Sequence, residues 1–170
     1  MESPVHFASK HHPTYVPAKE REPSIKPASQ EEIPYLPTIE HAADAPFRAI
    51  GMAAVADMPL PSLEHYAAAQ ARHHLWVARH PRSPSPSSIV GFYQIKALQH
   101  TPDFRAALLT QISILPGYSR RGLGTLMLRY LIDYASVLGY QSVDLTTFDE
   151  VPWNRAFYEK VGFKGERGRG

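Results

Sequence analysis

Residues 112–125 of this 170-residue chain have the sequence Ile-Ser-Ile-Leu-Pro-Gly-Tyr-Ser-Arg-Arg-Gly-Leu-Gly-Thr, and they decide the fold. Residues 106–115 form an apolar run that predicts a β-strand, which Pro116-Gly117 ends. After the glycines, apolar residues recur at steps of three and one, the spacing of an amphipathic helix that Gly139 ends. They are Leu123, Leu126, Met127, Tyr130, Leu131, Tyr134, Ala135 and Leu138. The segment therefore predicts a strand, a turn and a long helix.

This strand–turn–helix element is suited to binding an anion. The first N–H groups of a helix have no partner within the helix, and the helix dipole adds partial positive charge there. Gly122 and Gly124 let the backbone approach a phosphate without side-chain obstruction. Arg120 and Arg121 could add charge-assisted contacts. A pyrophosphate is the expected partner, and a simple tight turn with solvated arginines is the alternative.

Two common nucleotide-binding motifs fit this element poorly. A Walker-type loop needs Gly-Lys-Ser/Thr after the glycines, and the chain has none there. A dinucleotide fingerprint would put Met127 where a third small residue is needed, and Asp144 lies inside the next strand rather than at its tip. A nicotinamide- or nucleotide-binding protein with a doubly wound parallel sheet is therefore the weaker rival.

A third motif fits. Residues 112–125 resemble the segment that cradles coenzyme A in the GNAT superfamily of N-acetyltransferases, in which an apolar strand end, Pro and an aromatic residue precede Gln/Arg-x-x-Gly-x-Gly/Ala. Residues 145–163, Leu-Thr-Thr-Phe-Asp-Glu-Val-Pro-Trp-Asn-Arg-Ala-Phe-Tyr-Glu-Lys-Val-Gly-Phe, resemble the second signature, in which Asn precedes Phe-Tyr and Gly-Phe. One helix and one strand separate the two, as in the family. The Val-Pro-Trp-Asn run is typical of one microbial subgroup.

The resemblance implies an N-acetyltransferase that passes the acetyl group of acetyl-CoA directly to a primary amine of a small molecule or protein. It assigns the oxyanion-stabilising N–H to Ile114, and to Tyr158 the general acid that protonates the departing thiolate. The residues it assigns to acetyl-CoA binding are Ile112, Ile114, Ser119, Arg120, Arg121, Gly122, Leu123, Gly124, Thr125, Asn154 and Tyr158. The alternatives are an ordinary helix position for Tyr158 and a helix cap for Asn154.

Two positions depart from the family pattern. Ser119 replaces the Gln or Arg that opens the phosphate motif, and Gln111 stands where relatives often carry a strand Glu. No residue identifies itself as the general base, so a water chain, Asp103, His100 and Glu150 all stay open. The alternative function is a degenerate GNAT domain that binds CoA or a protein partner without turnover.

The chain as a whole predicts an α/β (α+β) fold, a mixed, mostly antiparallel sheet flanked by helices in the order β-α-α-β-β-β-α-β-α-β. Residues 1–22 lack periodicity and are expected to form a disordered arm, with the domain at residues 23–170. The remaining predicted strands are 24–28, 74–79, 89–95, 142–148 and a last one from Gly162; the remaining helices start at Ser29, Leu63 and about Trp153. Only seven residues follow Phe163, so the closing hairpin of the family cannot form in full. A homodimer that completes the open edge and a truncated product are the two alternatives.

Composition restricts the class of protein further. The absence of cysteine excludes disulfides and a Cys nucleophile, and a net charge of +2 is too small to indicate a nucleic-acid partner. No apolar run approaches the roughly 18 residues of a membrane span, and the N-terminus lacks a signal-peptide core, so a cytoplasmic location is expected. The nine histidines are scattered without a His-Glu-x-x-His motif, so no metal site is predicted.

Overall fold

The computed structural model describes residues 22–84, 87–148 and 150–165, so the predicted N-terminal arm lies outside it except for its last residue. In these residues five strands form one sheet in the order β1-β2-β3-β4-β5. They are β1 Ser24–Pro27, β2 Leu75–Arg79, β3 Ile89–Thr101, β4 Phe104–Ile114 and β5 Ser142–Leu145. Only the β4–β5 pairing is parallel. The predicted mixed, mostly antiparallel sheet is confirmed, and the parallel sheet of the rival hypothesis is wrong.

The α-helices in the same residues are α1 Leu36–Asp44, α2 Ala53–Ala56, α3 Leu63–Ala71, α4 Leu123–Val137 and α5 Asn154–Val161. The helix expected from Ser29 is divided, because Gln30–Tyr35 forms a 3-10 helix before α1 begins. Pro37 is the second residue of α1, where the missing N–H removes no intrahelical bond. The predicted cap of α3 is confirmed by a bond from His65 N to Ser62 Oγ of 3.2 Å.

Each face of the sheet has its own hydrophobic core. Trp76 of β2 packs in the core under α4, whereas its neighbours Leu75 and Val77 pack in the core under α1 and α3. Because successive side chains of a strand point to opposite faces, a one-residue slip of β2 would exchange the two sets. The register that brings β3 and β4 together is therefore fixed by burial on both faces.

Three strand predictions were wrong in extent, the first because β3 continues to Thr101 instead of ending at residue 95. β5 ends at Leu145, before the expected end at Phe148, and residues 162–165 form no strand although Gly162 was expected to open one. Gly162 instead ends α5 with a φ of 111°, and Phe163 N donates back to Tyr158 O at 3.1 Å. A left-handed glycine followed by such a bond is a common way to end a helix. The local termination signal of α5 thus decides the conformation of this segment.

Candidate functional site

Strand β4 pairs with β5 over only part of its length. Ala106–Leu109 pair with Ser142–Leu145, and beyond Leu109 no described strand lies on that side of β4. On its other side β4 stays paired with β3 as far as Ile114. The register of that pair shifts at Thr110, which is an extra residue, and a bulge of this kind bends its strand. We call the space between residues 110–114 of β4 and the end of β5 the β4–β5 gap.

Two backbone amides of β4 point into this gap. Leu115 N donates across the β3–β4 pair to Val90 O at 2.9 Å. Because hydrogen-bonded and non-hydrogen-bonded residues alternate along an antiparallel pair, Ser113 also points its N–H at β3. Ile112 and Ile114, which alternate with it, point their N–H and C=O groups away from β3 and into the gap. This open edge is where a further extended chain would bind.

The turn after β4 delivers more backbone donors at the start of α4. Arg120 and Gly122 adopt positive φ angles of 57° and 83°. The first bond along the helix joins Leu126 N to Gly122 O at 3.0 Å, so the amides of residues 123–125 precede it and have no acceptor within the helix. Unpaired amides at a helix N-terminus form a site for an anion such as a phosphate.

The side chains predicted to contact phosphate lie around this turn. The Ser119 hydroxyl donates to Pro116 O at 2.8 Å, which engages it in its own turn. The Arg121 guanidinium lies 5.9 Å from the centre of the Tyr118 ring, and both Arg120 and Arg121 are exposed. The backbone therefore forms the anion-binding surface, with two solvent-exposed cations beside it.

Glycine is favoured at positions 122 and 124 for different reasons. The sequence analysis gave one reason for both, the close approach of the backbone to a phosphate. A Cβ on Gly124 would lie 2.8 Å from Cζ of Phe157 and 3.2 Å from Cδ1 of Ile114, so glycine is needed there for packing. A Cβ on Gly122 would have no neighbour within 4 Å, and its φ of 83° is what favours glycine. Gly124 thus lets α5 and the end of β4 meet the first turn of α4.

Tyr158 follows Phe157 on α5 and is packed between two aromatic rings. Its ring centroid lies 5.0 Å from that of Phe157 and 5.9 Å from that of Phe163. It packs against the core under α4, as Ile112 and Ile114 also do. A phenol is protonated at neutral pH, as a proton donor must be, and burial raises the pKa of the Tyr158 phenol further.

Asn154 is the first residue of α5 and does not cap it, because the N-cap is Trp153. Its Nδ2 donates to Thr147 Oγ1 at 2.6 Å and so ties the helix to the segment that follows β5. The cap alternative for Asn154 is therefore wrong.

A cavity of about 760 Å³ lies on the other face of the sheet, over the bulge. We call it the bulge cavity; α1 and α3 form one wall, and β3 and β4 form the other. Thr110 and Gln111 line it, and Ile112, the next residue, faces the β4–β5 gap, so the two spaces adjoin at the bulge. The Gln111 amide donates to Ser113 Oγ at 2.8 Å.

The bulge cavity contains a buried carboxylate that the sequence analysis missed. Glu40 of α1 is 7% exposed, and its Oε2 accepts a hydrogen bond from the Tyr66 hydroxyl at 2.5 Å. Burial raises the pKa of Glu40. Asp44, one turn further along α1, has its pKa raised to about 6 by burial and then by the charge of Glu40. The sequence signal was the position of Glu40 beside Ile39 on the apolar face of α1.

The proposed base candidates lie elsewhere. His100 and Asp103 flank the β3–β4 turn, and His100 Nε2 lies 3.1 Å from Asp144 Oδ2. That turn is separated from Ile112 by most of β4, about 25 Å at about 3.3 Å per residue. Glu150 is exposed in the segment before α5. His100 and Asp103 are too far from the gap to take a proton there.

Two further searches cover only the residues that the structure describes. In residues 22–84, 87–148 and 150–165, no group of three or more His, Asp or Glu side chains is arranged to hold a metal ion. None of the described helices combines the length and the apolar character that crossing a bilayer requires.

The sequence model of the Acetyltransferase (GNAT) family matches residues 36–163. The chain belongs to the GNAT family. Solved structures share the GNAT fold: the ribosomal-protein-S18-alanine N-acetyltransferase from Escherichia coli is 21% identical, with a TM-score of 0.62 over 86% of this chain and 80% of that one. An aminoglycoside acetyltransferase from an uncultured soil metagenomic sample, solved with sisomicin, is 14% identical, with a TM-score of 0.63 over 87% and 92%. A chain of the NatC complex, solved with Gag peptide and CoA, is 18% identical, with a TM-score of 0.67 over 86% and 87%. At these identities the likeness concerns the fold alone.

Proposed function

We propose that this GNAT protein transfers the acetyl group of acetyl-CoA to a primary amine of a small molecule or a protein. The observation that carries the proposal is the β4–β5 gap, where the backbone of Ile112 and Ile114, paired with β3 on one side, has no strand partner among the described residues on the other. The gap leads directly to the free amides of residues 123–125 at the start of α4. An extended amide-containing arm joined to a pyrophosphate, as in acetyl-CoA, matches this succession of donors.

In this proposal, residues of the chain bind acetyl-CoA, polarise its thioester carbonyl and protonate the departing thiolate. Acetyl-CoA supplies a thioester, whose carbonyl carbon accepts the lone pair of the amine as the carbon–sulfur bond breaks. The N–H of Ile114 donates to the carbonyl oxygen as it gains negative charge. Ile112 pairs with the pantetheine arm through its backbone. The Tyr158 hydroxyl, which like any phenol is protonated at neutral pH, gives its proton to the departing thiolate.

The remaining assignments concern the rest of the cofactor. The amides of Gly122, Leu123, Gly124 and Thr125 receive the pyrophosphate, and Arg120 and Arg121 add positive charge from the solvent side. Ser119 contributes through its place in the turn, because its hydroxyl is engaged with Pro116 O. Asn154 holds the segment that borders the end of β5 and contacts the pantetheine arm or its water.

Binding and turnover test the proposal in two steps. Isothermal titration with acetyl-CoA, and with NAD as the matched control, measures whether the site accepts this cofactor. Release of the CoA thiol in the presence of a panel of amines then measures transfer. Acetyl-CoA binding together with amine-dependent thiol release is the expected result, and no binding of acetyl-CoA at millimolar concentration overturns it.

One observation favours a second candidate, a degenerate domain that binds CoA without turnover. Ser119 offers no side-chain contact beyond its own turn, and Gln111, which replaces the strand Glu, is a neutral amide that donates to Ser113. Tight binding of acetyl-CoA without thiol release on any amine would favour this candidate over the enzyme.

A further inference from the structure

We propose that the bulge cavity binds the acceptor and selects a small amine that also carries a carboxylate, with the amine at Glu40 and the carboxylate at Arg72 and Lys96. The inference rests on the proposed acetyl transfer and adds the chemical class of the acceptor to it. Three features of the cavity support it: a negative end beside β4, a positive end at α3 and β3, and a wall between them that has no carboxylate, Lys or Arg.

The negative end is next to the β4–β5 gap. Helix α1 packs over β4, the strand whose amides face the gap, and Glu40 points from α1 into the cavity. Among the described residues the Tyr66 hydroxyl is the one hydrogen-bond donor to this carboxylate, and His65 of α3 and Asp44 of α1 are the ionisable side chains that interact with it electrostatically. A partly desolvated carboxylate with so few partners attracts an ammonium group, and it does so beside the strand where the reaction takes place.

Glu40 also suits the proton transfer that must precede attack. An acceptor arrives at neutral pH as an ammonium ion and must lose one proton before its nitrogen has a free lone pair. Because burial raises the pKa of Glu40, its carboxylate takes a proton more readily than an ordinary one. In this step the ammonium proton passes to Glu40, directly or through one water, and later to solvent. The second proton leaves the nitrogen as the amide forms and replaces the one that Tyr158 gives to the thiolate.

The positive end is displaced from Glu40 along α3, because Arg72 comes six residues after Tyr66, the partner of Glu40, which is about 9 Å at about 1.5 Å per residue. Arg72 follows the last turn of α3, which packs over β2, and Lys96 extends from β3. Neither side chain takes part in an ion pair with another described residue, and Arg72 donates only to Ala68 O in its own helix, at 3.3 Å. The pKa of His74 between them is lowered, first by burial and then by the charges of Arg72 and His73. This end therefore has unneutralised positive charge.

The wall between the two ends has no carboxylate, Lys or Arg, and the His65 imidazole lies in it with Nε2 3.0 Å from Gln94 Nε2. Gln94 and Gln111 face each other across the β3–β4 pair, and the apolar residues around them, such as Ala69 and Ile95, are small or medium in size. A cavity of about 760 Å³ is of the size that holds a small molecule. A short aliphatic chain with an amine at one end and a carboxylate at the other matches this arrangement. A diamine would put its second cation beside Arg72 and Lys96 and is rejected.

Matched acceptors test the selectivity. The rate of thiol release is measured at saturating acetyl-CoA with gamma-aminobutyrate, with its amide, which lacks only the negative charge, and with putrescine. We expect kcat/KM for the carboxylate to exceed that for the amide by on the order of tenfold, the combined effect of two exposed charges. The double variant Arg72→Gln/Lys96→Gln should abolish this preference by lowering kcat/KM for the carboxylate to the value for the amide. The double variant Arg129→Gln/Lys26→Gln, at exposed positions of α4 and β1, is the charge-matched control.

The variant Glu40→Gln tests the negative end. It removes the negative charge, and the amide oxygen can still accept the hydrogen bond from Tyr66. We expect it to lower kcat/KM by on the order of a hundredfold for every amine. It should also remove the fall in kcat/KM at low pH that protonation of Glu40 causes. The remaining pH dependence should be that of the amine itself. Acetyl-CoA affinity, measured by titration, should be unchanged. A lower rate with an unaltered pH profile would show that Glu40 has a structural role only, and would overturn its part in the proposal.

A binding measurement keeps the inference testable without turnover. Saturation-transfer NMR of gamma-aminobutyrate with the CoA-bound protein should show contact that Arg72→Gln/Lys96→Gln weakens. Equal rates on the carboxylate and the amide, a preference that survives removal of both charges, or faster acetylation of basic peptides overturns the inference while acetyl transfer stands. Absence of both turnover and gamma-aminobutyrate binding in protein that binds acetyl-CoA also overturns it. Absence of acetyl-CoA binding overturns the proposed function itself.

Discussion

Replacing Gly124 by Ala tests the packing that joins α4, α5 and β4. The new Cβ would lie 2.8 Å from Cζ of Phe157, against about 3.5–4.0 Å for an ordinary carbon–carbon contact. The Phe157 ring is half-buried against the core and Ile114 Cδ1 closes the other side at 3.2 Å, so the ring must shift by about an ångström. Overpacking of this size costs about 1–3 kcal/mol, whereas a helical Gly→Ala change alone gains about 0.5–1 kcal/mol. The net expectation is a loss of about 1–2 kcal/mol.

Urea denaturation and thermal unfolding measure this loss, which for a chain of this size corresponds to a melting temperature lower by roughly 2–6 °C. Gly117→Ala is the matched control, because its Cβ meets nothing within 4 Å and its φ is not positive. Adding Phe157→Leu to Gly124→Ala should recover part of the stability by removing the colliding ring atom. A Gly124→Ala protein as stable as the wild type, with unchanged acetyl-CoA affinity, would refute this account of the interface.

Two further changes probe the chemistry and the charge. Tyr158→Phe should lower kcat by about a hundredfold, because a general acid acts only on the departing thiolate, while the dissociation constant for acetyl-CoA stays the same. Equal kcat values in the variant and the wild type would show that Tyr158 is not the general acid. The pKa of Asp44 in the folded state, about 6, lies above its ordinary value of 3.8. The folded state therefore binds the proton more tightly, and stability is lost as the pH rises from about 4 to about 6. Asp44→Asn should therefore stabilise the protein by about 1–2 kcal/mol at pH 7 and not at pH 4; a gain that is the same at both pH values, measured by urea denaturation, would contradict this.

Local signals in the sequence were enough for the elements that bear the proposed cofactor site. The three-and-one spacing from Leu123 and the glycine at 139 predicted α4, because both depend only on residues within a few turns of each other. The Ser62 cap of α3 was predictable for the same reason. The identity of the turn as a coenzyme A motif came from resemblance, and the family match supports that class of protein.

Non-local contacts decided what the sequence could not predict. The bulge at Thr110 exists only because β3 and β4 pair in a particular register, and no local pattern marks it. The need for glycine at 124 comes from Phe157, which lies far along the chain. Glu40 lies on the apolar face of α1, but its partner Tyr66 of α3 is 26 residues away along the chain, so the local pattern did not reveal the bond between them. The proposed acceptor site depends on such pairings, which explains why it could not be predicted from one sequence.

The central claim is that the left-handed turn at the start of α4 forms the backbone site for the pyrophosphate of acetyl-CoA. Gly122 and Gly139 have φ angles of 83° and 78°, and a Cβ on either meets nothing within 4 Å, so alanine at each should cost a similar 1 kcal/mol or so of stability. Titration of acetyl-CoA into the wild type, Gly122→Ala and Gly139→Ala separates binding from stability. The account predicts that the wild type and Gly139→Ala bind alike and that Gly122→Ala binds at least several-fold more weakly. Equal affinity in the two variants, or no binding by the wild type at millimolar acetyl-CoA, would contradict it.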